Sequence, residues 1–325
     1  MMGLIQQARA FMGVKAPPWP PHCLSLALQG GGSFGAFTWG VLDRLLEEHE
    51  IQFEAISGAS AGAVNAVLLA SGMIEGRAEA RARLARFWKR MSHSASFLPM
   101  ASLASATMGA GFNLFARSLA PHQFNPFDLN PLREALAEEV DFERLRAQSP
   151  VKLLIAATRV RDGHLRIFRE SELTLEMVLA SACLPLIHRT VEVEGEPYWD
   201  GGYVANPPLI PLVLASDVDN MLVVQVTPAK AERLPTTPRE IAKRLDQINF
   251  NSTLNAEIGA LTLAKSLSAT PKLSRLRIDR ISAQDEFEGL ADENAANLGW
   301  DFLERLRDSG RGAVEAWIAQ PAAQA

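Results

Sequence analysis

Along the first seventy residues, short apolar runs alternate with helical patterns. Cys23 to Gln29 (CLSLALQ) has the pattern of a buried strand; Gly30, Gly31, Gly32 and Gly35 follow at once, and a helical pattern then covers Ala36 to Glu48. A second unit repeats this order, with Phe53 to Ser57 as strand, GASAG as a tight turn and Ala63 to Leu69 as an apolar helix. Further strands are expected at Val151 to Thr158, Leu165 to Phe168, Met221 to Val226 and Arg275 to Arg280, with a hairpin from Val191 to Trp199. Helical patterns fill Arg77 to Arg90, Pro131 to Glu139, Thr174 to Cys183, Arg239 to Leu267 and Asn294 to Arg307. Successive strand–turn–helix units predict an α/β fold with helices on the faces of a sheet.

Composition narrows the function. The 325 residues are 48% hydrophobic and 21% charged, which is ordinary for a globular chain and sets aside a disordered or fibrous one. The net charge of −5, with no basic block, argues against DNA or RNA as the principal ligand. Cys23 and Cys183 form neither a CxxC pair nor a cluster with histidines, so no metal site is expected and a reducing, cytoplasmic setting fits. The N-terminus lacks the pattern of a secretory signal, and no run approaches the roughly 18 apolar residues of a membrane span. Residues 1–22 are read as an N-terminal extension and 23–325 as a single domain. Leu4, Ile5, Ala8, Phe11 and Met12 share one helical face, either an interfacial anchor or a short docked helix. Met91 to Ala116 is 26 residues without Asp, Glu, Lys or Arg, either a cover that meets lipid or buried connecting structure.

The chemistry centres on Gly58-Ala59-Ser60-Ala61-Gly62. This G-x-S-x-G lies between an expected strand and an expected helix, the setting in which small neighbours permit a strained turn that presents a serine hydroxyl. Gly30-Gly31-Gly32-Ser33-Phe34-Gly35 can offer backbone N–H groups to an oxyanion. Gly30, Gly32 and Gly35 also match a dinucleotide fingerprint, but the second strand ends in Ser57 and GASAG, with Glu54 near its start, where a nucleotide-binding unit places an acid at the end. A histidine base for Ser60 would have to be His164 or His188, neither of which sits in a local motif. Asp200, in Trp199-Asp200-Gly201-Gly202-Tyr203, is the remaining candidate, although Asp-Gly is also a common turn dipeptide.

Together LALQGGGSFGAF, GASAG and WDGGY resemble the patatin-like phospholipase family, as do GVLDRLLEE, SACLPLI and NPPL, over about residues 24 to 226. The resemblance implies a three-layer α/β/α sandwich and acyl-ester hydrolysis by a serine–aspartate dyad without histidine or any cofactor. Ser60 would be the nucleophile and Asp200 the proton acceptor, with an oxyanion hole from Gly31, Gly32 and Ala61 and motif support from Gly30, Gly35, Gly58, Gly62, Gly201 and Gly202. The partner implied is a lipid or other acyl ester; membrane contact and oligomeric state stay open. Non-catalytic lipid binding, and an esterase with a histidine base, are the alternatives. At Phe34 the chain departs from the family pattern, in which many relatives carry a basic residue, and this departure implies a preference for neutral esters over anionic phospholipids.

Overall fold

The computed structural model describes residues 19–95, 130–185, 187–231, 233–267 and 270–320. The helical face at residues 4–12 and the uncharged stretch from 96 to 116 lie outside them. In chain order the elements are β1 (Cys23–Leu28), α1 (Gly35–Leu45), β2 (Gln52–Gly58), α2 (Ala61–Met73), α3 (Arg77–Ala95), α4 (Pro131–Glu139), α5 (Phe142–Gln148), β3 (Lys152–Arg159), β4 (Leu165–Arg169) and α6 (Leu175–Ser181). They continue with β5 (Val191–Val193), β6 (Glu196–Asp200), α7 (Leu209–Ala215), β7 (Asn220–Gln225), α8 (Pro238–Leu267), α9 (Pro271–Arg275), β8 (Arg277–Ser282), α10 (Ala283–Glu286) and α11 (Trp300–Ile318).

The parallel heart of the sheet runs β3-β2-β1-β7-β8, while β4 and the β5–β6 hairpin add antiparallel pairing around β3. Period-two alternation divides each central strand between two helical layers. Leu24, Leu26 and Leu28 of β1, Leu153 and Ile155 of β3 and Leu222 and Val224 of β7 face the large core beneath α1, α2, α3 and α11. Ala27, Ala55, Leu154, Met221 and Val223 face the thinner core beneath α7 and α8. The result is an α/β/α sandwich.

The hairpin turns at Glu194 and Gly195, both with positive φ (52° and 81°), as a tight two-residue reversal requires. The last long helix differs from its expected span: it begins at Trp300 and continues past Gly310 and Gly312 to Ile318. In the fold Gly310 lies where a Cβ would strike the Phe37 carbonyl, and Gly40 lies equally close to Arg307, so glycine here permits α1 and α11 to cross with their backbones in contact.

Candidate active site

Both glycine-rich turns leave the carboxyl ends of adjacent parallel strands, where open α/β sheets place their ligands. Leu28 of β1 and Gly58 of β2 are register partners, so Gly30 and Ser60 each lie two residues beyond the same rung. Their approach is close: a Cβ on Gly30 would lie 2.6 Å from the Ser60 Cβ. Ser60 has φ 54° and ψ −127°, a backbone conformation disfavoured for an L-residue, and stands at the N-terminus of α2. Gly62 makes the turn possible because any side chain there would collide with the Leu28 carbonyl. The Ser60 N–H is already engaged, donating to the Ser181 carbonyl and to Ser181 Oγ, both at 3.1 Å. The N–H of Ala61 has no such engagement among the described residues and starts the helix, with its dipole behind it.

The glycine loop is held from below by buried amides. Asn206 Oδ1 accepts from the Gly30 N–H at 2.7 Å and its Nδ2 donates to the Gly30 carbonyl at 3.3 Å, which also accepts from Thr227 Oγ1 at 3.0 Å. Gln29 Oε1 accepts from the N–H groups of Val226 and Thr227, and Gln29 Nε2 donates to Asn251 Oδ1 on α8 at 3.0 Å. These bonds leave the N–H groups of Gly31 and Gly32 uncommitted among the described residues. Phe34 turns the other way. It is 3% exposed and packs edge-to-face on Phe302 in the core, so its ring does not line the site and the preference for neutral esters expected from it has no basis in the fold.

Asp200 reaches Ser60 through an unusual meeting of strands. Beside β3, β2 pairs with Lys152 to Ile155, and β6 pairs with Ala157 to Arg159 running in the opposite direction. The carboxyl ends of β2 and β6 therefore face each other across the single residue Ala156. Period two sends Asp200 inward, whereas the neighbouring Trp199 donates through Nε1 to Thr190 at 3.0 Å in exposed surroundings. Tyr203 is 43% exposed, and Ala59, Ala156 and Ala205 form a small buried cluster of their own.

Asp200 is fully buried, and burial pushes its carboxyl from 3.8 up to about 7. The Ser60 hydroxyl and the Gly202 N–H pull in the opposite direction. Gly202 donates to Oδ1 at 2.7 Å, while Oδ2 closes no hydrogen bond among the described residues. The serine contact is accordingly looser than a completed bond, as in many sites without substrate. A Cβ on Gly201 would strike the Ala156 carbonyl, and one on Gly202 would lie 2.7 Å from the Phe250 ring.

One segment anchors both residues. The Ser60 N–H binds Ser181, and the Asp200 N–H donates to the Cys183 carbonyl at 2.8 Å. Ser181, Asn206, Gln29 and Asn251 were not singled out in the sequence. SACLPLI, NPPL and LALQGGGSFGAF contain the first three without giving any of them a role, and an isolated amide carries no local signal of the backbone it will hold. His164 instead pairs with Asp162 at 3.3 Å on an exposed turn, and His188 Nδ1 accepts from the Leu184 N–H. Glu54, the acid weighed for a nucleotide site, is bound to Lys152 at 2.5 Å near the opposite end of β2. Among the described residues no cluster of three or more potential metal ligands occurs, and no helix is long and apolar enough to cross a membrane.

Residues 26–213 match the family model described as patatin-like phospholipase. No curated protein matches the chain in sequence. Among solved structures, VipD from Legionella pneumophila is similar at 16% identity with a TM-score of 0.41, over 90% of this chain and 68% of that one. ExoU, solved as a heterodimeric complex with SpcU from the type III secretion system of Pseudomonas aeruginosa, is similar at 18% identity with a TM-score of 0.38. That match takes in 94% of this chain and 53% of ExoU, so the chain spans about half the length of that protein.

Proposed function

Because this chain belongs to the patatin-like phospholipase family, we propose that it is a serine lipid acyl hydrolase of the phospholipase A or esterase type. The observation that carries the reading is the convergence of Ser60, held at φ 54°, with a buried aspartate whose pKa is raised to about 7. In this reading Ser60 Oγ attacks the ester carbonyl while Asp200 takes its proton. The carbonyl oxygen, now negative, is received by the N–H groups of Gly31, Gly32 and Ala61. Collapse of the tetrahedral intermediate expels the alcohol, which leaves with the proton from Asp200, and an acyl-serine remains. Water then gives its proton to Asp200 and attacks the acyl group, releasing a fatty acid and restoring Ser60.

A carboxyl with a pKa near neutrality suits both halves of this cycle, because it is basic enough to accept the proton and acidic enough to return it. The substrate is read as a lipid ester, with activity on shorter esters expected of the same machinery. A fluorophosphonate probe and a panel of lysophospholipid, phospholipid, acylglycerol and short nitrophenyl esters test the proposal. Wild-type protein should be labelled at Ser60 and hydrolyse at least one class; Ser60→Ala should lose both properties while remaining folded. Activity that survives Ser60→Ala would overturn the assignment, and strong loss on replacing His188 would move the base to histidine.

A further inference from the structure

Helix α8 is amphipathic in the wrong sense for a helix whose outer face meets water. At 100° per residue, Ile241, Leu245, Ile248, Gly259, Leu263 and Leu267 align in one strip along all 30 residues. The leucines and isoleucines of this strip are between 44% and 76% exposed. All seven charged residues of the helix project from the remaining arc, and several serve inward contacts. Arg244 donates to the Ala229 carbonyl at 2.9 Å, Lys265 to the Leu276 carbonyl at 2.6 Å, and Glu257 accepts from the Ile210 N–H at 2.6 Å. An exposed strip of this length without charge is not the surface of a solvated helix.

Gly259 supplies a second, independent observation. Among the described residues a Cβ there would meet nothing within 4 Å, so no contact among them requires glycine. Mid-helix glycine nevertheless destabilises a helix relative to alanine. Small residues on an open helix face allow another helix to approach closely.

We propose that this strip is a self-association surface, on which the α8 helix of a second copy docks antiparallel about a two-fold axis near Leu254. The sequence is self-complementary about that point. Ile241 comes opposite Leu267, Leu245 opposite Leu263, Ile248 opposite Ala260 and Ser252 opposite Ala256. Bulky pairs thus close both ends, and small residues meet in the middle, the pattern of an isologous interface. The helix is about 45 Å long, and a strip roughly 15 Å wide offers on the order of 700 Å² per copy, close to the ~800 Å² of a standard interface. A lipid surface fits less well, because Asn249, Ser252 and Asn255 occupy the exposed middle of the helix, where membrane-lying helices present bulky apolar groups.

Sedimentation and light scattering test the idea on the full chain. The wild type should show twice the chain mass at about 100 µM, a concentration at which a Kd of about 1 µM leaves most chains paired. Leu245→Glu and Leu263→Glu should each return it to a single chain mass, with melting and Ser60 labelling unchanged. In a Cys23→Ser background under a mild oxidant, Ile241→Cys combined with Leu267→Cys should link two chains. Ile241→Cys alone should not, because antiparallel copies hold these positions about 39 Å apart along the axis. A monomeric wild type, a dimer indifferent to both glutamates, or linking by Ile241→Cys alone would each overturn the proposal. So would a monomer whose vesicle binding is lost in Leu245→Glu, which would make the strip a lipid-docking face.

Discussion

Replacing Asp200 with asparagine should make the protein more stable at alkaline pH while removing most of its activity. The side chains are isosteric, and Asn Oδ1 can still accept from the Gly202 N–H that now bonds Asp200 at 2.7 Å. In the wild type, burial raises the carboxyl from 3.8 to about 7. Between those values the folded chain keeps a proton that the unfolded chain has released, so stability falls as pH rises through that window. Below it neither state is ionised and the penalty is absent; above it both are ionised and the penalty is constant. At 1.36 kcal/mol per pH unit its full size is about 4 kcal/mol. Asparagine carries no such penalty, though its Nδ2 needs a partner and can shift the comparison by about 1–3 kcal/mol at every pH. The slope is therefore the decisive quantity. Urea unfolding of both proteins from pH 4 to 9 should show the asparagine variant gaining on the wild type up to about pH 7 and then running parallel to it, by up to about 4 kcal/mol. Turnover should meanwhile drop on the order of 10²- to 10⁴-fold. A stability difference that is flat across the whole range would refute the burial argument, whatever its sign.

The same ionisation should govern the rate: ester hydrolysis is expected to fall on acidification through about pH 7, read from a kcat/KM profile on a neutral ester, and an acid limb near 4 would mean a solvated base. Asn206→Ala strips both bonds from Gly30 and leaves a buried N–H without a partner, so unfolding should become easier by about 2–4 kcal/mol, and kcat should fall more than KM rises; equal kcat with a changed KM would deny the loop its positioning role. Phe34→Arg should lower stability by at least about 3 kcal/mol, because it forces a guanidinium into the core beside Phe302. Normal melting together with raised phospholipid activity would return Phe34 to the site.

How much could be read from the sequence followed how local the information was. The elbow at Ser60 and the glycine loop were visible because a few adjacent small residues dictate each turn, and the strands before them because their apolar runs are short and continuous. Asp200 stood out because the histidines offered no base in a local motif, and the family resemblance then gave it a role. Its approach to Ser60 depends on two strands sharing β3, a relation spanning 140 residues that no local pattern encodes. The amide clamp of Gln29, Asn206 and Asn251 was hidden for a related reason: alone, such residues suggest turns and caps, and their partners lie about 176 to 222 positions away. At Phe34 the sequence showed a missing cation but not the direction of the side chain. In α8 the helix itself was legible; which face it would turn outward had to await the sheet beneath it.

The end-to-end meeting of β2 and β6 beside β3 also bears on which genetic changes the site tolerates. Strand registers are discrete. Deleting or inserting a single residue between the hairpin turn at Gly195 and Asp200 would not displace the carboxyl slightly; it would carry Trp199 or Gly201 onto the inward rung and turn the aspartate to the other side of the sheet. The spacing from Gly195 to Asp200 is thus under tighter constraint than the identity of the side chains within it. Lineages of this chain should accumulate substitutions at Glu196, Pro197 and Trp199 while length changes there are purged, a pattern that deep mutational scanning with single-codon indels can read directly.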